Sequence, residues 1–410
     1  MSVRPPHAPL EQFPVIDDML HVGGIPLPRL AERIGATPFY AYDRAALTAR
    51  VALLRRHLPP SIHLHYAMKA NPMPALVQHM ATLVDGIDIA SGGELKIALD
   101  TPMAPGLISF AGPGKSDADL RCAVAAGVVL NMESEGEMER LAVIGESLGI
   151  TPKVAIRVNP DFELKSSGMK MGGGPKQFGV DAERVPAMLR RLGQLKLDFY
   201  GFHIYSGSQN LKAASLQDAH EKTFALAIRL AADAPGPLRT LNIGGGFGIP
   251  YFPGEERLDL AAVGDNLGRL LPDVYAALPG VRIDIELGRY LVAEAGVYVS
   301  RVIERKISRG QVYLITDGGL HHHLSASGNF GQVIRKNYPV VIGNRVREGE
   351  RETASVVGPL CTPLDLLADQ MDLARADTGD LVVVLQSGAY GLSASPREFL
   401  GHPAAREALV

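Results

Sequence analysis

Between residues 62 and 286, short apolar runs alternate with helix-patterned segments, and few folds accommodate that rhythm. The runs lie at 62–70, 87–91, 107–111, 128–132, 154–159, 199–206, 240–243 and 281–286. Helical patterning fills 73–83, 93–98, 116–126, 134–148, 182–192, 216–231 and 260–276 between them. Ser134 and Glu137 carry the spacing of a capping box at the start of one helix. Eight strand–helix units predict an α/β fold, a closed TIM-like (β/α)8 barrel of parallel strands. An open doubly wound sheet is the rival, because alternation alone does not prove closure.

After residue 291 the rhythm changes. Strand-like runs at 291–307, 312–316, 340–342, 354–357 and 381–386 are separated by glycine-bearing turns, with little helix. That pattern predicts a second, mostly antiparallel β domain. The first forty residues end in the strand-like Pro38-Phe39-Tyr40-Ala41-Tyr42 and are expected to join it. The expected domains are therefore a barrel over 44–291 and a β domain from 1–43 plus 292–410. Two domains also suit a length of 410 residues.

Composition narrows the function classes. A formal net charge of -3 gives no general reason to expect nucleic acid or a membrane as partner. Cys122 and Cys361 cannot build a disulfide framework and form no metal-type pair. The start, with Arg4-Pro5-Pro6, is proline-rich without an apolar signal core, so a cytoplasmic location is the expectation. His321-His322-His323 could suggest a metal, but consecutive residues on an extended segment point to opposite faces, so no metal is expected.

In a parallel barrel, reactive side chains gather at the C-terminal ends of the strands, and here those ends are polar. The first ends in Lys69, the first lysine of the chain, in Tyr66-Ala67-Met68-Lys69-Ala70-Asn71. Alone it reads as a lysine snorkelling from a strand end. Desolvated, it becomes a neutral amine able to form a Schiff base with an aldehyde. The second run holds Asp88 before Ser91-Gly92-Gly93-Glu94, the fifth ends in Arg157 and Asn159, and the sixth runs through His203 to Ser206. The seventh opens into Gly244-Gly245-Gly246, and the eighth finishes Glu286-Leu287-Gly288-Arg289. Glycine lets successive N–H groups face one anion, so the triple glycine with Arg289 suggests a phosphate grip rather than a plain tight turn. Glu286, flanked by apolar residues, needs a buried partner, and a pyridinium nitrogen would be one. His203 reads either as a ring stacked on that partner or as a satisfied core histidine. The set suits pyridoxal 5'-phosphate.

The same motifs resemble the alanine-racemase-fold pyridoxal decarboxylases, the group of diaminopimelate, ornithine and arginine decarboxylases. The likeness runs from about Thr37 to Gly391 and includes Gly201-Phe202-His203, Gly358-Pro359-Leu360-Cys361 and Gly388-Ala389-Tyr390. It implies that Lys69 carries the cofactor and that His203 stacks on its ring. It further implies that Glu286 pairs the ring nitrogen, with Asp88 and Arg157 also contacting the cofactor. Ser206, Gly244, Gly245, Gly246, Arg289 and Tyr390 would hold the phosphate. Cys361 would arrive from the partner subunit of a homodimer as the acid that protonates the product. Arg289, Thr362, Asp365, Tyr390 and Asn329 are the implied substrate contacts.

One departure bears on substrate. Where diamine-forming members carry an acidic residue after the cysteine, this chain has Thr362, and only Asp365 follows. From Gly318 to Arg347 there is no Asp or Glu, while Arg335, Lys336, Arg345, Arg347 and three histidines are present. A pocket for a free diamino acid should present carboxylates to the far cation. The pattern resembles the branch acting on an aminoacyl group held on an acyl-carrier protein, including exosortase-associated members, whose acidic carrier would suit a basic rim. The alternatives are decarboxylation of free meso-diaminopimelate, an amino-acid racemase of the same fold, and a non-catalytic regulator. Glu286 argues against the racemase, since racemases of this fold put an arginine at the ring nitrogen.

Overall fold

A computed structural model describes the chain except residues 1–5, 10, 164–168, 171, 331, 333–334 and 348, and the side chains of 169–170. Arg4 and Pro5 of the proline-rich start, and Gly331, Val333 and Ile334 of the acid-free stretch, thus lie outside the described residues. The chain divides into two compact units.

The first unit, Val51–Gly248 with Leu258–Gly288, is the expected barrel. Its strands are β1 (Ile62–Ala67), β2 (Gly86–Ile89), β3 (Ile108–Phe110), β4 (Val129–Met132), β5 (Lys153–Asn159), β6 (Asp198–Ile204), β7 (Thr240–Gly245) and β8 (Arg282–Leu287). Each pairs in parallel with the next, and β8 pairs with β1 from Ile283↔Ile62 to Leu287↔Tyr66, so the sheet closes. Closure excludes the doubly wound rival. The inter-strand helices include α1 (Pro74–Ala81), α2 (Gly92–Leu99), α3 (Asp117–Ala126), α4 (Glu135–Leu148), α5 (Val185–Leu192), α6 (Ala213–Ala231) and α7 (Leu260–Ala277). Their inward faces are apolar at helical spacing: α6 buries Leu216, Ala219, Thr223, Ala227 and Leu230.

The expected box at α4 is only half formed. Ser134 Oγ accepts the Glu137 N–H at 3.1 Å, but the Glu137 carboxylate receives the Glu133 N–H at 3.1 Å instead of returning to Ser134. Lys115, 2.8 Å away, draws that carboxylate into the interior. The complete reciprocal box belongs to α3, between Ser116 and Asp119.

The second unit is Met1–Arg50, Ile249–Arg257 and Arg289–Val410. Its boundary falls at Arg50 rather than residue 43, and it takes in a loop expected to belong to the barrel. Ion pairs explain the regrouping, since Arg50 and Arg257 both bind the buried carboxylate of Glu294. The sheet runs Val340–Ile342, Leu381–Val384, Gly296–Ser308, Gln311–Thr316, Arg351–Val357, Leu366–Ala374. Phe39–Tyr42 joins antiparallel to Gly296–Ser308, and Arg406–Leu409 runs parallel beside Phe39–Tyr42. Val297 and Val299 pack on Phe39, Leu27 and Leu30 on one face. Tyr298, pointing the other way, meets Tyr40 with ring centroids 4.9 Å apart. Among the described residues no helix is long and apolar enough to cross a membrane.

Candidate active site

The polar residues of the barrel unit converge as barrel geometry requires. The first apolar run ends earlier than expected. β1 stops at Ala67, and Lys69 sits in a single 3-10 turn, Met68–Ala70, whose flanking side chains are buried while Lys69 is exposed. The sequence argument expected a desolvated amine; in this single chain Lys69 is exposed. Its Nζ lies 5.7 Å from the centre of the Tyr205 ring. Its charge acts on two carboxylates, Glu94 and Glu286. Burial pushes the Glu94 carboxyl up, against the Ala90 N–H it accepts at 2.7 Å and against Lys69.

Glu286, near the end of β8, is buried, with His203 Nε2 from β6 at 3.2 Å from its Oε2. Burial would raise this carboxyl, but His203, Lys69 and Arg157 more than offset that and hold it below the usual carboxylate range. The carboxylate is thus anionic at neutral pH. His203 is 2% exposed, and its Nδ1 has no hydrogen-bond partner.

The glycine turn after β7 is built for close approach. Gly244 and Gly246 have φ of 70° and 79°, the left-handed region where side chains are strained. A Cβ on Gly244 would lie 2.5 Å from the Tyr205 ring, and one on Gly245 would overlap the Glu286 carbonyl oxygen. Ser206 lies two residues past β6, half-buried.

Arg157 on β5 is fixed on two sides. Its Nη1 donates to Glu133 Oε1 at 2.7 Å, and its guanidinium lies 4.9 Å from the Phe178 ring centre. Glu133 also accepts the Gly112 and Gly179 N–H groups, at 2.5 and 3.1 Å. Although burial opposes it, Arg157 and Lys115 keep the Glu133 carboxyl below its ordinary range. Asp88 takes the Ser109 hydroxyl and lies 3.3 Å from His65 Nδ1. His65 is itself 3.8 Å from Asp284. Burial disfavours charge on His65, but Asp88 and Asp284 overcome it and raise the imidazole to about 9.

In the other unit, Arg289 is held between aromatic rings. Its guanidinium lies 5.4 Å from the Tyr251 ring and 4.6 Å from the Tyr390 ring, and Nη1 donates to the Tyr251 hydroxyl at 3.1 Å. Its Nε is buried without a hydrogen-bond partner. Tyr390 adopts a left-handed φ of 51°, a strained conformation for a tyrosine. Cys361 is exposed on a loop braced by Asp365, whose carboxylate accepts the Leu320 and Leu360 N–H groups at 2.6 and 2.8 Å. Asn329, exposed, donates to Ser327 Oγ at 2.8 Å and to the Leu364 carbonyl at 3.3 Å. Thr362, next to Cys361 in sequence, is half-buried.

The basic stretch is less basic than its composition. His321, His322 and His323 are fully buried. Burial drives His321 and His323 down to about 3, so these rings are neutral at pH 7. His322 lies 2.8 Å from the Pro403 carbonyl and His323 lies 2.9 Å from Ser387 Oγ. Arg345 lies 3.7 Å from Asp380. Sequence reasoning also passed over Asn242, Tyr205, Glu133 and Tyr251. Glu133 follows β4 directly, so the strand-end rule applied to the other strands would have found it. Asn242 is the polar residue within Leu241-Asn242-Ile243, a placement that asks for a buried partner.

These residues fit pyridoxal phosphate: a cradle that side chains would fill, a buried carboxylate held anionic, an imidazole with a free ring nitrogen and an accessible lysine. Comparison with known proteins agrees. Residues 44–293 match the family model for pyridoxal-dependent decarboxylase, pyridoxal binding domain. The chain is 38% identical over 379 residues to the L-glutamyl-[BtrI acyl-carrier protein] decarboxylase of Niallia circulans, covering 91% of this chain and 88% of that one. It is 32% identical over 397 residues to the diaminopimelate decarboxylase of Aquifex aeolicus, covering 96% and 91%. A crystal structure of diaminopimelate decarboxylase from M. jannaschii superposes with a TM-score of 0.89 over 98% of this chain and 93% of that chain, at 23% identity, and speaks to the fold. The chain belongs to the pyridoxal-dependent decarboxylases, enzymes that use pyridoxal phosphate to release an amino acid's carboxylate as CO2.

Proposed function

We propose that this decarboxylase acts on an aminoacyl group delivered on an acyl-carrier protein rather than on a free diamino acid. The observation that carries this reading is the environment of Asp365. It is the acidic residue that remains near Cys361 where Thr362 stands, and its two oxygens accept the backbone N–H groups of Leu320 and of Leu360. Burial raises its carboxyl above the ordinary value, and an ammonium would meet oxygens already engaged by backbone N–H groups. The 38% identity to a decarboxylase of a carrier-bound glutamyl group supports the same reading. The basic rim supports it less than composition suggested, since its histidines are neutral and Arg345 faces Asp380.

Pyridoxal phosphate, when bound, supplies the electron sink for the pair left behind as CO2 departs. Lys69 is the amine assigned to carry it, and Glu286 the carboxylate that holds a proton on its ring nitrogen. His203 is assigned to the ring face and Arg157 to its hydroxyl edge. Ser206 and Gly244–Gly246 are assigned to the phosphate, with Arg289, two residues past β8, as the balancing cation and Tyr390 as the ring over Arg289. Asp88, paired with His65 and Ser109, is assigned as a further cofactor contact. Cys361, exposed on its braced loop, is assigned to return a proton to Cα in the site of a second copy of the chain. Arg289, Thr362, Tyr390 and Asn329 remain the proposed substrate contacts; Asp365 is kept as the brace that presents Cys361.

The test is turnover of matched substrates by the purified enzyme. An L-glutamyl group on a carrier protein should lose CO2 at least about 10²-fold more efficiently than free glutamate, lysine or meso-diaminopimelate. Efficient decarboxylation of free meso-diaminopimelate without a carrier would refute the proposal.

A further inference from the structure

β7 and β8 fall out of register at the site. Thr240, Leu241 and Asn242 face Arg282, Ile283 and Asp284 in step, but Gly245 then faces Glu286. Three steps on one strand match two on the other, so β7 carries one extra residue, as a β-bulge does. Gly244, with φ of 70°, lies in the bulge. One side chain spans it. Asn242 Oδ1 accepts the Gly244 N–H at 2.8 Å, and Asn242 Nδ2 donates to Glu286 Oε2 at 3.3 Å. Asn242 is 7% exposed and Glu286 8%, so water competes little for either bond.

We propose that Asn242 is a positioning residue that ties the carboxylate of Glu286 to the glycine turn, setting the two ends of the cofactor against each other. The inference rests on the roles assigned above to Glu286 and to the turn, and is independent of which substrate is delivered. The chemistry of the amide explains the residue. A planar carboxamide offers an acceptor and a donor in one rigid unit, so moving either contact moves the other. It is neutral, so it orients Glu286 without discharging it, as an arginine or lysine would. A carboxylate in its place would repel Glu286 and raise its pKa.

Asn242→Asp separates the two functions: the oxygen facing Gly244 is kept, and the donor to Glu286 becomes a second anion. The probe is pyridoxal phosphate itself, titrated into the cofactor-free full-length protein across pH and followed by tyrosine fluorescence and visible absorbance. In Asn242→Asp, which keeps one of the two contacts, the affinity at pH 8 should fall by about 3-fold, and its loss on acidification should begin about one pH unit or more higher than in wild type. Asn242→Ser, which cannot span the bulge, should bind about 10-fold more weakly at every pH, and Asn242→Gln should recover part of that loss. In wild type Glu286 is anionic over the accessible pH range, so the added acid loss of Asn242→Asp should vanish in the Asn242→Asp/Glu286→Gln double variant. A wild-type acid limb in Asn242→Asp overturns the inference alone. Wild-type affinity at pH 8 in the single variant Glu286→Gln overturns the assignment of Glu286 and the inference with it. If Asn242→Asp does not fold, Asn242→Ser decides: wild-type affinity there overturns the proposal, and weakened binding restored by Asn242→Gln upholds it.

Discussion

Each polar strand end in the barrel owes its state to its neighbours rather than its identity. Glu286 and Glu94 are both glutamates within reach of the Lys69 charge, yet one is held below its ordinary value and the other raised from it. His203 and Arg157 beside Glu286 make the difference. His65 gives this a measurable form. Its folded value of about 9 lies above the ordinary 6.5. Its stabilising contribution is therefore complete below about pH 6.5 and is lost as pH rises through about 9. The melting temperature should fall across that window in wild type, and His65→Gln should melt lower at pH 6 with a flatter profile. An identical slope in the variant would exclude His65 as the source.

At the scale of elements, much of the site was legible because barrel strands end in loops with fixed roles. Lys69, His203, Glu286 and the triple glycine were singled out as candidates by residue type, strand-end position and family resemblance. The contact between Asn242 and the glycine turn was not, because it depends on the register shift between β7 and β8, which no single strand's pattern reveals. The same limit misled the reading of 318–347. Charge counted along the chain says nothing of burial, and three histidines counted as cationic are neutral inside the unit. The missing arm of the Ser134 box has a similar cause, since its Glu137 faces Lys115 from another element. Two substitutions separate cradle from scaffold. Gly245→Ala would drive a methyl into the Glu286 carbonyl oxygen, so it should weaken cofactor binding by about 10-fold or more and cost about 1–3 kcal/mol in stability. Ser116→Ala removes a helix cap far along the chain from any assigned residue. It should cost about 1 kcal/mol while cofactor affinity stays at the wild-type value. Calorimetry and pyridoxal phosphate titration on both variants check the pair.

At the scale of the whole molecule, the proposed assembly makes a prediction that one chain cannot satisfy. If Cys361 serves the site of a second copy, Lys69→Ala and Cys361→Ala each spoil different sites. Subunits unfolded and refolded together should then regain activity. Random pairing makes about half the dimers mixed, each with one intact site, so on the order of a quarter of wild-type activity should return. No recovery, with co-purification of two differently tagged variants showing mixed dimers, would place Cys361 and Lys69 in the same chain's site. The carrier question also belongs here, because an acidic carrier would read a surface rather than a pocket.

The most direct test is mass spectrometry of products formed from aminoacyl carriers and free amino acids by wild type and by Lys69→Ala. Wild type should return a product lighter by one CO2 with its amine retained. Lys69→Ala should return substrate unchanged and purify without the visible absorbance of bound cofactor. Inversion at Cα without loss of mass, or a coloured and active Lys69→Ala, would contradict the account.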